Sequence, residues 1–390
     1  MRDKISGSAR FWTVALCACC PFLAIYATQP LLPSLSQIFS AEPKAVSLTI
    51  TATTLAVAIA APFSGAIADA IGRKPVIVVC ILGLALPTAF ASTATSLDQL
   101  IAWRFVQGLF IPAIFSATLA YVGEEWTKNT AVGMSAYVSG GVIGSVSGRV
   151  ISGLTADAYD WRASFLLLAI LITVGGLLVW VLLPPSNRFE RQKDIGASFR
   201  AMAKHLRKPS LVAIFVCAFN NLFVFVGVFT YITFYLVQPP FMLGEAALGF
   251  VFLLNLFGAF ANPFAGRWMA KAGYRLGLMA ALATSTVGLL LTLIPNLLVA
   301  LVGIALISTG VFVAQTAATG QMGLLAGKAK SSAAGVYVCC YYAGGSVGAF
   351  VPGVAYNFGG WPACIALILS VKLLSALIAM KFFNPAPAQN

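Results

Sequence analysis

The sequence has little charge. Of its 390 residues, 9% are charged and 60% are hydrophobic, whereas a soluble domain carries about a quarter charged residues. So many apolar side chains cannot all be hidden from water in a soluble core, which excludes an ordinary soluble protein. Alternating strands of about ten residues are also absent from the sequence, which argues against a membrane barrel.

Histidine, acidic residues and loop cysteines are scarce as well. All eight cysteines fall in apolar runs, and the one histidine, His205, falls in a basic polar stretch. We therefore expect no disulfide framework, no metal site and no cofactor. The eleven acidic residues fall in loops or at the ends of apolar runs. The sequence therefore lacks the paired carboxylates inside the runs that would indicate a membrane enzyme.

Long apolar runs are what the sequence has instead. A hydrocarbon core about 30 Å thick requires roughly 20 apolar residues for each helical crossing. Twelve such runs are present, at 11–33, 45–68, 76–94, 98–121, 131–154, 163–183, 210–237, 246–269, 276–295, 297–320, 332–356 and 361–383. The sequence therefore predicts an all-α membrane protein with twelve transmembrane helices.

The net charge of +13 does not indicate a nucleic-acid partner, because the positive residues follow the predicted membrane. Of the 24 lysines and arginines, Lys44 and Arg162 fall on one side, and Arg104, Arg149 and Lys372 fall inside runs, away from their cytoplasmic ends. The others all fall on the opposite side. This bias predicts a multi-pass protein of the cytoplasmic (inner) membrane, embedded in the lipid bilayer with both termini cytoplasmic.

The longest polar stretch separates six runs from six. Residues 184–209 carry seven positive charges and predict a basic cytoplasmic linker that could lie on the membrane surface. We therefore predict an N-terminal six-helix bundle at 1–183 and a C-terminal six-helix bundle at 210–390.

The two halves repeat each other. The segment 65-GAIADAIGRKP-75 recurs, degraded and without its acid, as 266-GRWMAKAGYR-275, and 137-YVSGGVIG-144 recurs as 341-YYAGGSVG-348. Two such bundles related by a pseudo-two-fold axis predict a site near the bilayer midplane, between the halves, and transport by alternating access.

The loop between the second and third runs carries a specific motif. Gly65 and Gly72 permit a tight turn, and Asp69 can pair with Arg73 or Lys74. The pattern G-x-x-x-D-x-x-G-R-K resembles the signature loop of the major facilitator superfamily, and the resemblance extends over nearly the whole chain. It implies the major facilitator fold, with two pseudo-symmetric bundles, and a conformational latch formed by these five residues.

The fourth run contains a buried charge, in 100-LIAWRFVQGLF-110. Arg104 and Gln107 share one helical face, and a charge inside a membrane is expensive enough to suggest a function. R-x-x-Q-G resembles the fourth-span motif of the same family, which implies that Arg104 helps to couple protons. The alternative is a structural arginine that bonds to backbone carbonyls.

Small residues at helical spacing mark the fifth and eleventh runs. This stripe predicts close packing of helix backbones, and its members are Gly140, Gly144, Gly148, Gly344, Gly348 and Pro352. The fifth run resembles the antiporter motif of the family, but Arg149 stands where a proline is usual. Arg149 is either a coupling or substrate residue, or an edge charge that reaches the headgroups. Lys372, deep in the last run, has no assigned role.

Polar residues in the helices that face the cavity of the resembled fold are candidates for lining it. They are Tyr26, Gln29, Asn220, Asn221, Tyr231, Asn255, Gln315 and Tyr341. Each is about as well explained as an interhelical hydrogen-bonding group.

The resemblance implies a secondary active transporter that moves a small organic molecule, not an enzyme. The chain resembles small bacterial efflux permeases of the drug:proton antiporter type, which implies proton-coupled efflux by a monomer, with protons as the coupling ion. Positive charge without carboxylates in the spans favours a neutral or anionic substrate. The alternative is uptake of an organic anion by proton symport or facilitated diffusion.

Overall fold

The computed structural model describes residues 7–126, 130–186, 200, 202–325 and 330–383, and the regular structure in these ranges is helical. The elements, in chain order, are α1 (Gly7–Ile25), a 3-10 turn (Gln29–Leu31), α2 (Leu32–Ile38), α3 (Pro43–Val46), α4 (Leu48–Ile71), α5 (Arg73–Ala91), α6 (Leu97–Glu125), α7 (Thr130–Ala158), α8 (Trp161–Leu182), α9 (Pro209–Leu236), α10 (Glu245–Val251), a 3-10 turn (Phe252–Leu254), α11 (Asn255–Ala272), α12 (Tyr274–Leu291), α13 (Leu297–Leu325) and α14 (Lys330–Phe382).

The described chain has the helices that the sequence predicts. Ten segments are long and apolar enough to cross a membrane. The last of them, Ser332–Phe382, contains two helices, because Gly359 and Gly360 interrupt α14 with non-helical backbone angles. The 29-residue helix α7 is also long enough to cross, although its glycine and serine residues make it less apolar. With these two additions, the described residues form twelve transmembrane helices.

The chain forms two compact units. The first contains Met1–Leu31 and Ala52–Ile195, and the second contains Leu32–Thr51 and Gly196–Asn390. An early segment, Leu32–Thr51, therefore packs with the second half of the chain. The predicted linker falls largely outside the described residues, at 187–199 and 201, so the division at 184–209 stays a prediction.

Hydrogen bonds attach the early segment to the second unit. The hydroxyl of Tyr231 on α9 lies 2.9 Å from Ser47 Oγ and donates to the carbonyl of Ala349 at 2.7 Å. Thr51 Oγ1 donates to the carbonyl of Ser346 at 3.3 Å. These bonds hold the start of α4 against the first part of α14.

The first transmembrane segment is a broken helix. α1 ends at Ile25 and helical structure resumes only with a 3-10 turn at Gln29. Proline has no N–H and its ring crowds the carbonyl four residues earlier, so Pro30 disfavours a regular α-helical turn after Tyr26. The turn closes instead with a bond from Gln29 N–H to the Tyr26 carbonyl, at 3.0 Å. The last carbonyls of α1 therefore need partners from outside the helix.

The predicted small-residue stripe lies at close helix contacts. A Cβ atom added to any of the three stripe glycines in α7 would collide with the backbone of α1. The pairs are Gly140 with Ala15, Gly144 with Cys19, and Gly148 with Leu23. In the second unit, the pairs are Gly344 with Phe219, Gly348 with Phe223, and Pro352 with Gly227. The absence of side chains lets these helix backbones touch in both units.

Candidate functional site

Arg104 binds the free end of the broken helix. Its side chain is fully buried on α6, where Nη1 donates to the carbonyl of Ala24 at 2.8 Å and Nη2 donates to that of Ile25 at 2.6 Å. These are the last carbonyls of α1. A guanidinium at a helix C-terminus satisfies these acceptors and interacts favourably with the helix dipole.

Gln107 orients this guanidinium. Its Oε1 accepts a bond from Arg104 Nη1 at 2.5 Å, and its Nε2 donates to Thr88 Oγ1 on α5 at 2.8 Å. Arg104 and Gln107 therefore form one network that joins α1, α5 and α6. The structural alternative for Arg104, bonding to backbone carbonyls, describes its observed contacts.

Arg149 reaches the same break from α7. Its Nε donates to Gln29 Oε1 at 2.7 Å, and its Nη1 donates to Ser145 Oγ at 2.6 Å. The guanidinium carbon lies 4.7 Å from the centroid of the Tyr26 ring, within range of a cation–π interaction. The side chain has no exposed surface, so the edge interpretation is wrong: the guanidinium turns into the unit and does not reach its surface.

The first unit thus brings together residues that the sequence treated separately. Arg104 binds the last residues of α1, while Arg149 binds Tyr26 and Gln29 in the interruption. The acceptors named here are neutral oxygens or a ring face, and arginine stays protonated in proteins. The broken segment is consequently surrounded by two permanent positive charges.

The latch motif also acquires an ion-pair network. Gly72 takes a positive φ of 113° between α4 and α5, and Arg73 Nη1 binds Asp69. Arg73 Nη2 also pairs with Glu124 at 2.6 Å, at the end of α6. A Cβ atom added to Gly65 would meet nothing within 4 Å.

Sequence reasoning missed Glu124 as a partner of the motif. Its carboxylate also accepts a bond from Ser186 Oγ, at 3.0 Å. A signal was available in the sequence, because Glu124 and Glu125 follow the predicted fourth span (98–121) on the side where positive residues are frequent. Lys74 lines a surface cavity beside Arg73, together with Trp180 of α8.

The polar candidates of the second unit form several separate contacts between helices. The bonds are Asn220 Nδ2 to Ser375 Oγ (2.9 Å), Asn221 Nδ2 to the Val311 carbonyl (3.2 Å), Ser308 Oγ to Asn255 Oδ1 (2.9 Å), and Tyr341 hydroxyl to Gln315 Oε1 (3.3 Å). Asn220 and Asn221 line one small cavity with Lys372. Among the described residues, no group of three or more His, Cys, Asp or Glu could hold a metal ion.

A helical membrane protein with two similar units and a broken first span has the architecture of a secondary transporter. A family model described as Major Facilitator Superfamily matches residues 14–349. The chain belongs to the Major Facilitator Superfamily and is a multi-pass membrane transport protein.

Several bacterial relatives cover most of the chain. It is 29% identical to the uncharacterized MFS-type transporter YybF of Bacillus subtilis (strain 168), over 91% of this chain and 88% of that protein. It is 32% identical to the inner membrane transport protein YnfM of Escherichia coli (strain K12), over 90% and 86%. The multidrug efflux protein YfmO of Bacillus subtilis is 26% identical over 66% of this chain and 64% of its own length.

Solved structures agree on the fold. A mutant form of the nucleoside transporter NupG superposes with a TM-score of 0.77 at 13% identity, over 96% of this chain and all of that one. A bacterial homologue of the human lysosomal transporter Spinster gives a TM-score of 0.73 at 14% identity, over 97% and 96%. At these identities the comparison establishes the fold and carries no information about substrate.

Proposed function

We propose that the protein is a secondary active transporter that exports a small neutral or anionic organic molecule across the cytoplasmic membrane by proton-coupled alternating access. Both termini are cytoplasmic in this proposal, and the chain works as a monomer. The observation that carries the proposal is the pair of buried guanidinium groups around the interruption of the first span.

A broken helix inside a membrane is tolerated where other parts of the protein satisfy its backbone or where it lines a cavity. Transporters use such interruptions to bind substrates, because they expose oriented polar groups. Here the interruption offers Tyr26 and Gln29 beside Arg149. A cation brought to this segment meets two like charges in a medium of low polarity, whereas an anion meets a guanidinium that can bind it.

The direction of transport is supported by resemblance more than by geometry. A multidrug efflux protein is among the relatives, and the glycine stripe of α7 resembles the antiporter motif of the family. The ion pairs of Arg73 with Asp69 and Glu124 suit a latch that opens and closes at the cytoplasmic end.

A second candidate is uptake of an organic anion by proton symport or facilitated diffusion. Arg149 occupies the position at which the antiporter motif usually has proline. The replacement removes the proline of the antiporter motif, and the buried charge of Arg149 attracts anions.

Everted and right-side-out membrane vesicles test both candidates. Fluorescein serves as an anionic probe, uridine as a neutral probe and ethidium as a cationic probe, each with and without an imposed pH gradient. We expect everted vesicles, acidified inside, to accumulate fluorescein or uridine, and not ethidium. Accumulation only in right-side-out vesicles would replace export by uptake, and strong ethidium accumulation would refute the charge argument.

Arg149→Gln provides the matched variant for this assay. It keeps hydrogen-bonding capacity and removes the charge. We expect the preference for fluorescein over uridine to fall at least about tenfold, which corresponds to about 1.4 kcal/mol. Ser145→Ala, which removes one acceptor of Arg149 and no charge, should retain most of that preference.

A further inference from the structure

A small cavity lies inside the second unit, between α9, α12, α13 and the second segment of α14. Its volume is about 20 Å³, and one water molecule needs roughly 10–15 Å³ on the same measure. The polar side chains that line it are Lys372, Ser285, Asn220, Asn221 and Ser375. The cavity has room for water and excludes an organic substrate.

Lys372 is the basic group of this cavity. It lies near the middle of the segment between Trp361 and Phe382, so roughly 15 Å of helix separates it from either end. The side chain is 3% exposed, and Nζ donates a hydrogen bond to Ser285 Oγ. Ser285 Oγ in turn donates to the carbonyl of Ala281 at 2.9 Å. The acceptor of the lysine is therefore a neutral hydroxyl.

The described residues that line the cavity provide no charge opposite to that of Lys372. Among the described residues that line the cavity, none is Asp, Glu or Arg. The other titratable group on the lining is the thiol of Cys217 on α9, and the phenol of Tyr337 packs in the same apolar cluster as that thiol. α12 contributes Ser285 and apolar groups, and α13 contributes apolar residues and Gly310.

This setting favours a lysine that changes its protonation state. A buried ammonium without an anionic partner loses its hydration and regains little of it, so the neutral amine competes with the charged form. Lysine can respond by releasing its proton, whereas arginine cannot. The basic residues predicted inside the spans are Arg104, Arg149 and Lys372, and Lys372 is the member of this set that can release a proton.

We propose that Lys372 is the protonation site that carries the coupling proton through the second unit. Nζ accepts a proton from a hydronium ion, which becomes water, to form the ammonium, and later releases the proton to a water molecule to restore the amine. The bond to Ser285 survives both steps, because the neutral amine still has N–H groups to donate. Asn221, which also lines the cavity, is partly exposed.

The inference rests on the proposed proton-coupled transport, but the protonation site can be measured without a substrate. The purified full-length chain in detergent is unfolded in weakly buffered solution at pH 8, and proton uptake is recorded with a soluble pH dye. Lysine in an unfolded chain is protonated at this pH. If Lys372 is neutral in the folded protein, the wild type takes up about one proton more than Lys372→Gln does.

Lys271→Gln is the matched control, because it removes a lysine that is exposed on α11 and does not line the cavity. We expect this variant to match the wild type. Equal uptake by the wild type and Lys372→Gln would overturn the proposal. If Lys372→Gln does not fold, thermal unfolding of Lys372→Met from pH 6 to pH 9 replaces it. The wild-type unfolding equilibrium should then change by up to about tenfold per pH unit relative to the variant, in favour of the folded state as pH rises.

Vesicle transport then separates this inference from the proposed function. In Lys372→Gln, fluorescein movement should lose its response to the pH gradient while exchange down the probe's own gradient continues. Gradient-driven transport at the wild-type rate in this variant would overturn the role of Lys372. A wild type that takes up the extra proton on unfolding but ignores the gradient would support the protonation site and refute proton-coupled export.

Discussion

The two units hold buried positive charge in different ways. In the first, α1 is broken before Pro30, and Arg104 and Arg149 bind the released backbone and its neighbours. In the second, the equivalent helix α9 runs without interruption from Pro209 to Leu236. The two helices are equivalent because each contacts the glycines of its unit's small-residue stripe, α1 those of α7 and α9 those of the first part of α14.

The same repeat identifies the residue of the second unit that is equivalent in sequence to each arginine. α6 and α13 begin 200 residues apart, so Ile304 corresponds to Arg104, and the glycine stripe aligns Gly353 with Arg149. A continuous helix satisfies its own carbonyls and needs no cation at these positions. The two arginines are therefore explained by the interruption after α1, where they bind exposed polar groups. Lys372 of the second unit donates to a serine hydroxyl and does not cap a helix carbonyl.

The largest difference between the units is expected when Arg104 is replaced by an apolar side chain. Arg104→Met removes the side-chain donor of the Ala24 and Ile25 carbonyls, and we expect the free energy of unfolding to fall by about 2–5 kcal/mol. Ile304→Met at the equivalent position conserves volume and should cost less than about 1.5 kcal/mol. Unfolding in sodium dodecyl sulfate, followed by tryptophan fluorescence, measures both. Equal losses would show that Arg104 is not required by the break.

Replacing a glycine of the small-residue stripe by alanine tests the close helix packing that the two units share. Gly144→Ala meets the backbone of Cys19, and Gly348→Ala meets that of Phe223, so each should destabilise the protein by about 1–3 kcal/mol. Gly123→Ala is the control, because its new Cβ meets nothing within 4 Å and alanine favours a helix by about 1 kcal/mol over glycine. The same detergent unfolding assay measures all three variants, and a loss confined to one unit would contradict a common packing role.

The ion pairs of the loop motif should give a smaller difference in stability between the two units. Gly72 and Gly273 both take positive φ values, but Tyr274 and Ala270 stand in the second unit where the first has Arg73 and Asp69. A double-mutant cycle between Arg73→Ala and Glu124→Gln should give a coupling free energy of about 1–2 kcal/mol in favour of the pair. A coupling near zero would remove Glu124 from the latch.

An exposed ion pair of the second unit should contribute least. Lys44, and after it Asn357, hydrogen-bond to Glu42 and hold the pKa of its carboxyl below the ordinary value. A lowered pKa contributes stability above the ordinary value, and that stability is lost as pH falls through the folded-state pKa. Between pH 7 and pH 3, the wild type should lose slightly more thermal stability than Glu42→Gln. Parallel curves would show that the pair contributes nothing measurable, as many exposed pairs do.

Much of the fold could be predicted because its causes are local. Apolar runs of about 20 residues follow from bilayer thickness. The spacing of Gly140, Gly144 and Gly148 places them on one helical face, whatever the partner helix is. The family motif of the second loop extends this to the order of the helices.

The candidate site was less predictable, because its partners are distant in sequence. Tyr26 and Gln29 were expected to line a cavity and Arg149 to couple or bind substrate, and nothing in the sequence joined the three. Glu124 went unnoticed as a partner of Arg73, since the two are 51 residues apart.

The amino-acid order was enough to establish a twelve-helix membrane transporter of two repeated halves, because hydropathy, charge bias and motifs are properties of single segments. The folded chain was needed to show that Arg104 and Arg149 meet the same break in α1, across separations of 80 and 120 residues. It was also needed to show that Leu32–Thr51 packs with the second unit and that Lys372 lines a small cavity. Hydrogen-bond partners of a buried charge depend on which helices pack together, and that choice is made only when the whole chain folds.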